Sequence, residues 1–269
     1  MALVEATWHV VVRKGNHRRR RPPRAKKAPE PVSEDAVAYP LDYIQRSALQ
    51  ARTHLSATQF FSTFCDWIDS HPFIRAHREI DIVCYGIGRF GGSRCARYQL
   101  ALLILLLRSW KGRIRTPIWI YDPQLDVNER AYLAQVGLSD IMKNEEGRRR
   151  VTHPTLFYMP HCGRALYNNL LDANWETLEN VCILGNSLSR YCEEMVPSDD
   201  SAFIRALRDD LKEDVCNGGS DQEEVCVGAF NDLALHYFPS INEDSDRPVR
   251  PEVGSVVSET IITSEQIQI

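Results

Sequence analysis

Short apolar runs and longer amphipathic stretches alternate along this chain. Asp81–Tyr85, Ile118–Tyr121, Thr155–Met159 and Val181–Leu184 are four or five residues long and bounded by turn residues, so they read as buried strands. Between them lie stretches of helical spacing. Ser93 to Leu107 is the longest, Asn128 to Gln135 stops at Gly137, and Arg164 to Leu171 precedes the fourth strand. Upstream, Leu41 to Arg52 and Ser56 to Asp69 predict two helices. The second carries Phe60, Phe61, Phe64, Trp67 and Ile68 on one side and ends at His71-Pro72. An aromatic stripe of this kind is expected to pack against a sheet. Downstream, Phe203 to Lys212 predicts an amphipathic helix. Val225–Phe230 and Leu233–Phe238 predict a late strand pair or one bent strand, with Asn231 and Asp232 as a turn between them.

Strands that alternate with helices predict an α/β fold. The expected form is a Rossmann-like, mostly parallel sheet with helices on both faces and an added N-terminal helical segment. Right-handed crossovers then bring every strand's C-terminal end to one edge, where open α/β sheets bind ligands. Four segments are expected to converge there: Gly86 to Gly92, Tyr121-Asp122, Pro160-His161-Cys162, and Gly185-Asn186-Ser187.

The turn after the first strand carries the most specific signal. Gly86, Gly88 and Gly91 fit the spacing G-x-G-x-x-G between a strand and a helix, with Arg89 inside the turn and Ser93 placed to cap the helix. Such a turn admits close approach of a ligand, and the N–H groups at the helix start favour an anion. The plainer alternative is a strand-to-helix connection that binds nothing. Asp122 ends the second strand, where nucleotide-binding sheets place an acid against ribose hydroxyls, but it lies 36 residues beyond Gly86, and about 20 is usual. It serves equally to start an Asp-Pro turn. Asn186 and Ser187 either contact a ligand or cap the next helix. His161 and Cys162 have the chemistry to ligate a metal or heme, or to act as base and nucleophile. Adjacent residues on an extended chain face opposite ways, so one ligand need not see both. Tyr158, Asn168 and Asn169 are further polar candidates for the lining.

Length and composition change this picture little. At 269 residues, a single α/β domain over residues 33–239 with loose ends is expected. Leu100 to Leu107 is the longest apolar run, far short of the roughly 18 residues of a membrane span. The start of the chain lacks a secretory h-region, so a cytoplasmic location, or a nuclear one as well, is expected. The eight cysteines include no C-x-x-C pair and read as reduced core thiols. Charge is uneven. Arg13 to Lys27 holds nine of the 32 basic residues and no acid, which leaves 23 basic against 36 acidic residues elsewhere. Residues 1–32 therefore read as a basic disordered tail and residues 240–269 as an acidic and polar one. An acidic body binds duplexes poorly, so nucleic acid is expected to be engaged only weakly and through the basic tail.

Several segments resemble one family. Cys84-Tyr85-Gly86-Ile87-Gly88-Arg89-Phe90, followed by Ser93 to Leu102, resembles the signature of the domain named for the plant phenotype "sensitivity to red light reduced". Tyr121-Asp122-Pro123, Asn144 to Gly147, Phe157 to Cys162, Leu184 to Ser187 and Ala229 to Leu233 continue the match in order, over roughly residues 81–239. The chain is similar to animal members of these SRR domain-containing proteins. The resemblance implies a regulatory role in heme biosynthesis and circadian core-clock gene expression, with light signalling in plants and microtubule-related phenotypes in a fungal relative. It supplies no catalytic residues, and the Cys-Pro dipeptide of many heme-responsive proteins is absent.

Three functions fit the residues. The first is a regulatory protein that binds a small ligand or protein partner at the sheet edge through Gly86, Gly88, Arg89, Gly91, Ser93, Asp122, His161 and Asn186. Heme at His161 or Cys162, or a nucleotide- or S-adenosylmethionine-like ligand, is the candidate. The second is a nucleotide- or S-adenosylmethionine-dependent transferase. The third is an interaction module with a vestigial site.

Overall fold

The structure is a computed structural model that describes residues 38–193, 201–216, 228–239 and 249–252. The chain divides into two units, residues 1–31 and 32–269, and the first lies outside the described residues. The expected basic tail, the start of the ordered region at 33–37, most of the acidic tail, and Val225–Val227 with Cys226 therefore lie outside them too.

Hydrophobic spacing builds the elements. Helix α1 (Leu41–Ser56) buries Ile44, Ala48, Ala51 and Leu55 along one stripe. Thr58 caps α2 (Gln59–Ser70) by accepting from the Phe61 N–H, and Phe60, Phe64 and Ile68 of that helix are buried. Fully burying Phe64 contributes roughly 1.5–3 kcal/mol. Pro72 starts the short α3 (Pro72–Ala76), where its missing N–H costs nothing. Strand β1 (Asp81–Tyr85) leads through the glycine turn into α4 (Arg94–Ser109), which is capped by Ser93. Then follow β2 (Ile118–Tyr121), α5 (Val127–Gln135), β3 (Leu138–Asp140), β4 (Thr155–Met159), α6 (Arg164–Ala173), a 3-10 segment (Trp175–Asn180) and β5 (Val181–Asn186). The described remainder holds α7 (Leu188–Glu193), α8 (Ala202–Ala206), β6 (Lys212–Val215) and β7 (Leu233–Tyr237).

The seven strands form one sheet in the order β3-β2-β1-β4-β5-β7-β6. β1 to β5 pair in parallel, and β7 runs antiparallel to both β5 and β6. Side chains alternate between two cores. Ile82, Cys84, Leu156, Tyr158, Cys182 and Leu184 face α1, α2 and α4, whereas Val83, Tyr85, Phe157, Met159, Val181 and Ile183 face α6 and α8. Phe60 stacks on Phe230 at 4.8 Å, and Phe60, Phe64 and Ile68 share one core with Ile82, Cys84 and Leu235 of the sheet, as the aromatic stripe predicts. Every residue of β4 is buried, the signature of a central strand covered on both faces.

Two expectations need correction. The helix predicted over Phe203 to Lys212 stops at Ala206, and Lys212–Val215 is an edge strand. The Leu207 N–H still reaches the Phe203 carbonyl, but the chain then turns through Asp210 and is drawn into pairing with β7. Leu233–Tyr237 is the late strand, and its partners are β5 and β6. The described part of the proposed partner, Gly228–Phe230, is a helical turn.

Candidate functional site

The parallel strands β1, β2, β4 and β5 end on the same rim, and the chain order switches between β1 and β4. The four expected segments meet there. The Gly86 N–H donates to the Tyr121 carbonyl at 3.1 Å. The Cys162 thiol donates to the Tyr85 carbonyl at 3.4 Å. The His161 N–H donates to Asn186 Oδ1 at 2.7 Å. Because β7 is reversed, its start also lies at this rim, with Leu233 opposite Asn186. Asn231 and Asp232 form a turn there, and Asp232 pairs with Arg190 and accepts from the Ser187 N–H.

The glycine turn is held from inside. Gly86 and Gly88 have φ of 69° and 74°, a region that favours glycine, and a Cβ on Gly86 would lie 2.5 Å from Cys162 Sγ. The Gly88 N–H donates to Asp122 Oδ2 at 2.7 Å, while Asp122 Oδ1 accepts from the Gln124 N–H. The Gly91 N–H donates to Glu129 Oε1 at 2.7 Å, and Glu129 Oε2 accepts from the Asp126 N–H at 2.9 Å. Asp126 caps α5, and with Glu129 three residues on it completes a capping box. Arg89 folds over both acids, 2.6 Å from Asp126 and 3.6 Å from Glu129. Ser93 Oγ accepts from the Ala96 N–H at 3.3 Å, the expected cap, worth about 1 kcal/mol. Burial raises the pKa of Asp122 and of Glu129, against the pull of these amide donors.

His161 and Cys162 part company, although they sit in a turn and not on an extended segment. Cys162 points into the core, and burial raises its pKa. His161 is exposed at a left-handed φ of 58°, and its Nε2 lies 3.1 Å from the Ala229 carbonyl, to which it donates. Asn186 sits beneath both. Its Nδ2 donates to the Cys162 carbonyl at 3.3 Å and to the Tyr191 hydroxyl at 2.7 Å, and its N–H donates to the Tyr167 hydroxyl. Ser187 caps the next helix by accepting from the Arg190 N–H. The other polar candidates hold the frame. Tyr158 donates to the Gln99 carbonyl, Asn168 accepts from the Phe203 N–H, and Asn169 bridges Arg148 and the Glu146 carbonyl. Exposed groups along the rim include Gly92, Ser93, Arg94, Cys95, Pro123, His161, Gly163 and Asn231.

Three clusters escaped the sequence reading. Glu129, fully buried, reads in the sequence as an ordinary helix acid, although the Asp126-x-x-Glu129 spacing marks it as a capping partner. The Tyr85 hydroxyl donates to Glu145 at 2.6 Å, and Arg149 grips Glu145 with two bonds while lying over the Trp119 ring. Burial raises the Tyr85 pKa, with Glu145 adding to it. On β6 and β7, Glu213 accepts from the Ser187 hydroxyl and the Ser189 N–H and lies 3.4 Å from His236 Nδ1.

The SRR1 domain model matches residues 60–237, which adds α2 to the stretch expected from the motifs. The chain is similar to the Arabidopsis thaliana protein SENSITIVITY TO RED LIGHT REDUCED 1, at 30% identity over 91% of this chain and 95% of that one. It is 44% identical to a mouse SRR1-like protein over 43% of this chain and 47% of that one. It is 34% identical to a Drosophila melanogaster SRR1-like protein over 59% and 55%. The aligned stretches thus span about half of each of these two animal proteins. With its domain matched from α2 to β7 and a plant relative matched nearly end to end, the chain belongs to the SRR1 domain family.

Proposed function

We propose that this chain is a regulatory protein that acts in heme biosynthesis and circadian core-clock gene expression through a ligand or protein partner bound at the rim. The observation that carries the reading is its similarity, along nearly the whole chain, to a plant protein named for reduced sensitivity to red light. The heme and clock parts rest on the family resemblance. The meeting of four strand ends and the start of β7 supplies the recognition surface, with His161 and Ser93 presented on it. The basic segment Arg13–Lys27 adds only weak, salt-sensitive contact with nucleic acid.

The test is complementation. Cells lacking the protein are expected to show altered clock-gene rhythm and heme content, restored by the wild type and poorly restored by a His161→Asp variant. Normal rhythm and heme in the null cells would overturn the reading.

The strand order supports a second reading. It is the nucleotide-binding order with one reversed strand inserted beside the last, and such sheets bind their cofactors at the switch in strand order. Asp122 stands where the ribose of such a cofactor would need an acid. However, it is 4% exposed, and each of its carboxylate oxygens already accepts a backbone N–H. Its burial and these two internal bonds weigh against a ribose contact at this residue. A melting-temperature rise with S-adenosylmethionine would favour the transferase.

A further inference from the structure

A diphosphate or S-adenosylmethionine site of this fold needs three things from its first turn and the strand end beside it. It needs N–H groups free to meet the ligand, glycines that leave space for it, and a strand-end acid free for ribose hydroxyls. The N–H groups of two of the glycines, the space beside them and the acid are used here within the chain. The Gly88 and Gly91 N–H groups point at the carboxylates of Asp122 and Glu129, both at 2.7 Å. Arg89, the cation of the turn, lies on Asp126 and Glu129.

The space left by the glycines is filled by a ring. A Cβ on Gly91 would lie 2.8 Å from Tyr39 Cδ2, and one on Gly92 would lie 3.1 Å from the Tyr39 hydroxyl. Tyr39 is itself fastened. Its carbonyl accepts from Asn128 Nδ2 at 2.9 Å, and its ring stacks on Tyr43 at 5.4 Å. Arg97 completes the clasp, with Nε and Nη2 donating to the Phe90 and Gly91 carbonyls while its guanidinium lies 5.8 Å from the Tyr43 ring centroid.

We infer that the glycine turn is a seat for parts of its own chain, the carboxylates of Asp122 and Glu129 and the ring of Tyr39, and not a phosphate or ribose site. The carboxylates take the place of an anionic ligand. Their effect is to lock β2, α5 and the start of α1 onto the rim. Recognition is thereby left to the exposed side of the rim around His161. The inference concerns the turn alone and stands whether or not the regulatory reading does.

Two measurements test it. In protein labelled at glycine, the Gly88 and Gly91 amide resonances should stay in place during titration with ADP-ribose, NAD and S-adenosylmethionine to millimolar concentration. Saturable shifts at these two amides would overturn the inference. The second is a double-mutant cycle on ligand-free protein, read by denaturant unfolding. Gly91 has no left-handed φ, and the atoms nearest to an added Cβ belong to Tyr39 and the Glu129 carboxylate. Gly91→Ala should lower the unfolding midpoint, and the loss should fall by half or more in a Tyr39→Ala background. A Gly91→Ala protein as stable as the wild type, or losses that simply add, would show that the glycine was kept for something other than Tyr39.

Discussion

Asn186 is the residue on which the β4 and β5 ends depend. Its amide oxygen holds the His161 N–H, and its amide nitrogen holds the Cys162 carbonyl and the Tyr191 hydroxyl. His161 has a positive φ without being glycine, so its backbone relies on that contact. Asn186→Ala should cost about 1–3 kcal/mol, the penalty for stranding partly buried polar groups, and urea unfolding measures it. A loss below a few tenths would show that water replaces the side chain. The same neighbourhood decides any heme ligation. Cys162 is buried, donates to Tyr85 and is held in the thiol form, whereas the His161 ring is exposed. In a hemin titration, His161→Ala should diminish the Soret change and Cys162→Ala should leave it. The reverse pattern would mean that the rim rearranges around the metal.

At the scale of elements, the β6–β7 pair is the acid-sensitive part of the sheet. His236 on β7 is fully buried, with Nε2 donating to the Asn186 carbonyl and Nδ1 facing Glu213 on β6. Burial pulls its pKa down to about 4, although Glu213 pulls the other way. Burial raises Glu213, but its bonds from Ser187 and Ser189 and the nearby His236 outweigh that and leave it below its usual value. The unfolded histidine takes up its proton near pH 6.5, well before the folded one. Stability from this group is therefore complete above about pH 6.5 and is lost as pH falls toward 4, and Glu213 adds a loss of the same sign at the acid end. The raised pKa values of Asp122 and Glu129 act in the opposite sense, so the variant comparison matters. His236→Gln should flatten the wild-type slope of melting temperature between pH 6.5 and 4. An unchanged slope would place the acid sensitivity elsewhere.

These elements also mark where sequence reading stopped. The strand–glycine–helix unit was legible because burial on both faces imposes an apolar run and a helix must then begin with a cap, here Ser93. β6 was not, because Lys212, Glu213 and Asp214 carry no strand pattern and are extended only through pairing with β7. β3 is three residues long and defined by its neighbour β2. The meeting of the four rim segments was readable from the alternation of elements. The internal use of the glycine turn was not, because Glu129 and Tyr39 lie 38 and 52 positions from Gly91 in the chain.

At the scale of the molecule, the sheet has a parallel half built from consecutive βα units and a reversed strand that joins a distant edge to it. β7 contacts β5 on one side and β6 on the other, so β6 has no other strand partner among the described residues. A chain ended before Leu233 should lose both strands and expose the edge of β5, with Cys182 and Leu184 uncovered on one face. Dye binding and light scattering would report it. A soluble, dye-silent fragment with unchanged melting would show that the parallel half is self-sufficient. The placement of β7 also sets a schedule. A ribosome delivers the segment that becomes β6 while the strand meant to receive it is still unmade. Until translation has passed Tyr237, the nascent polypeptide carries a parallel core with an open flank, and any chaperone attending it has to shield that flank over the interval between β6 and β7.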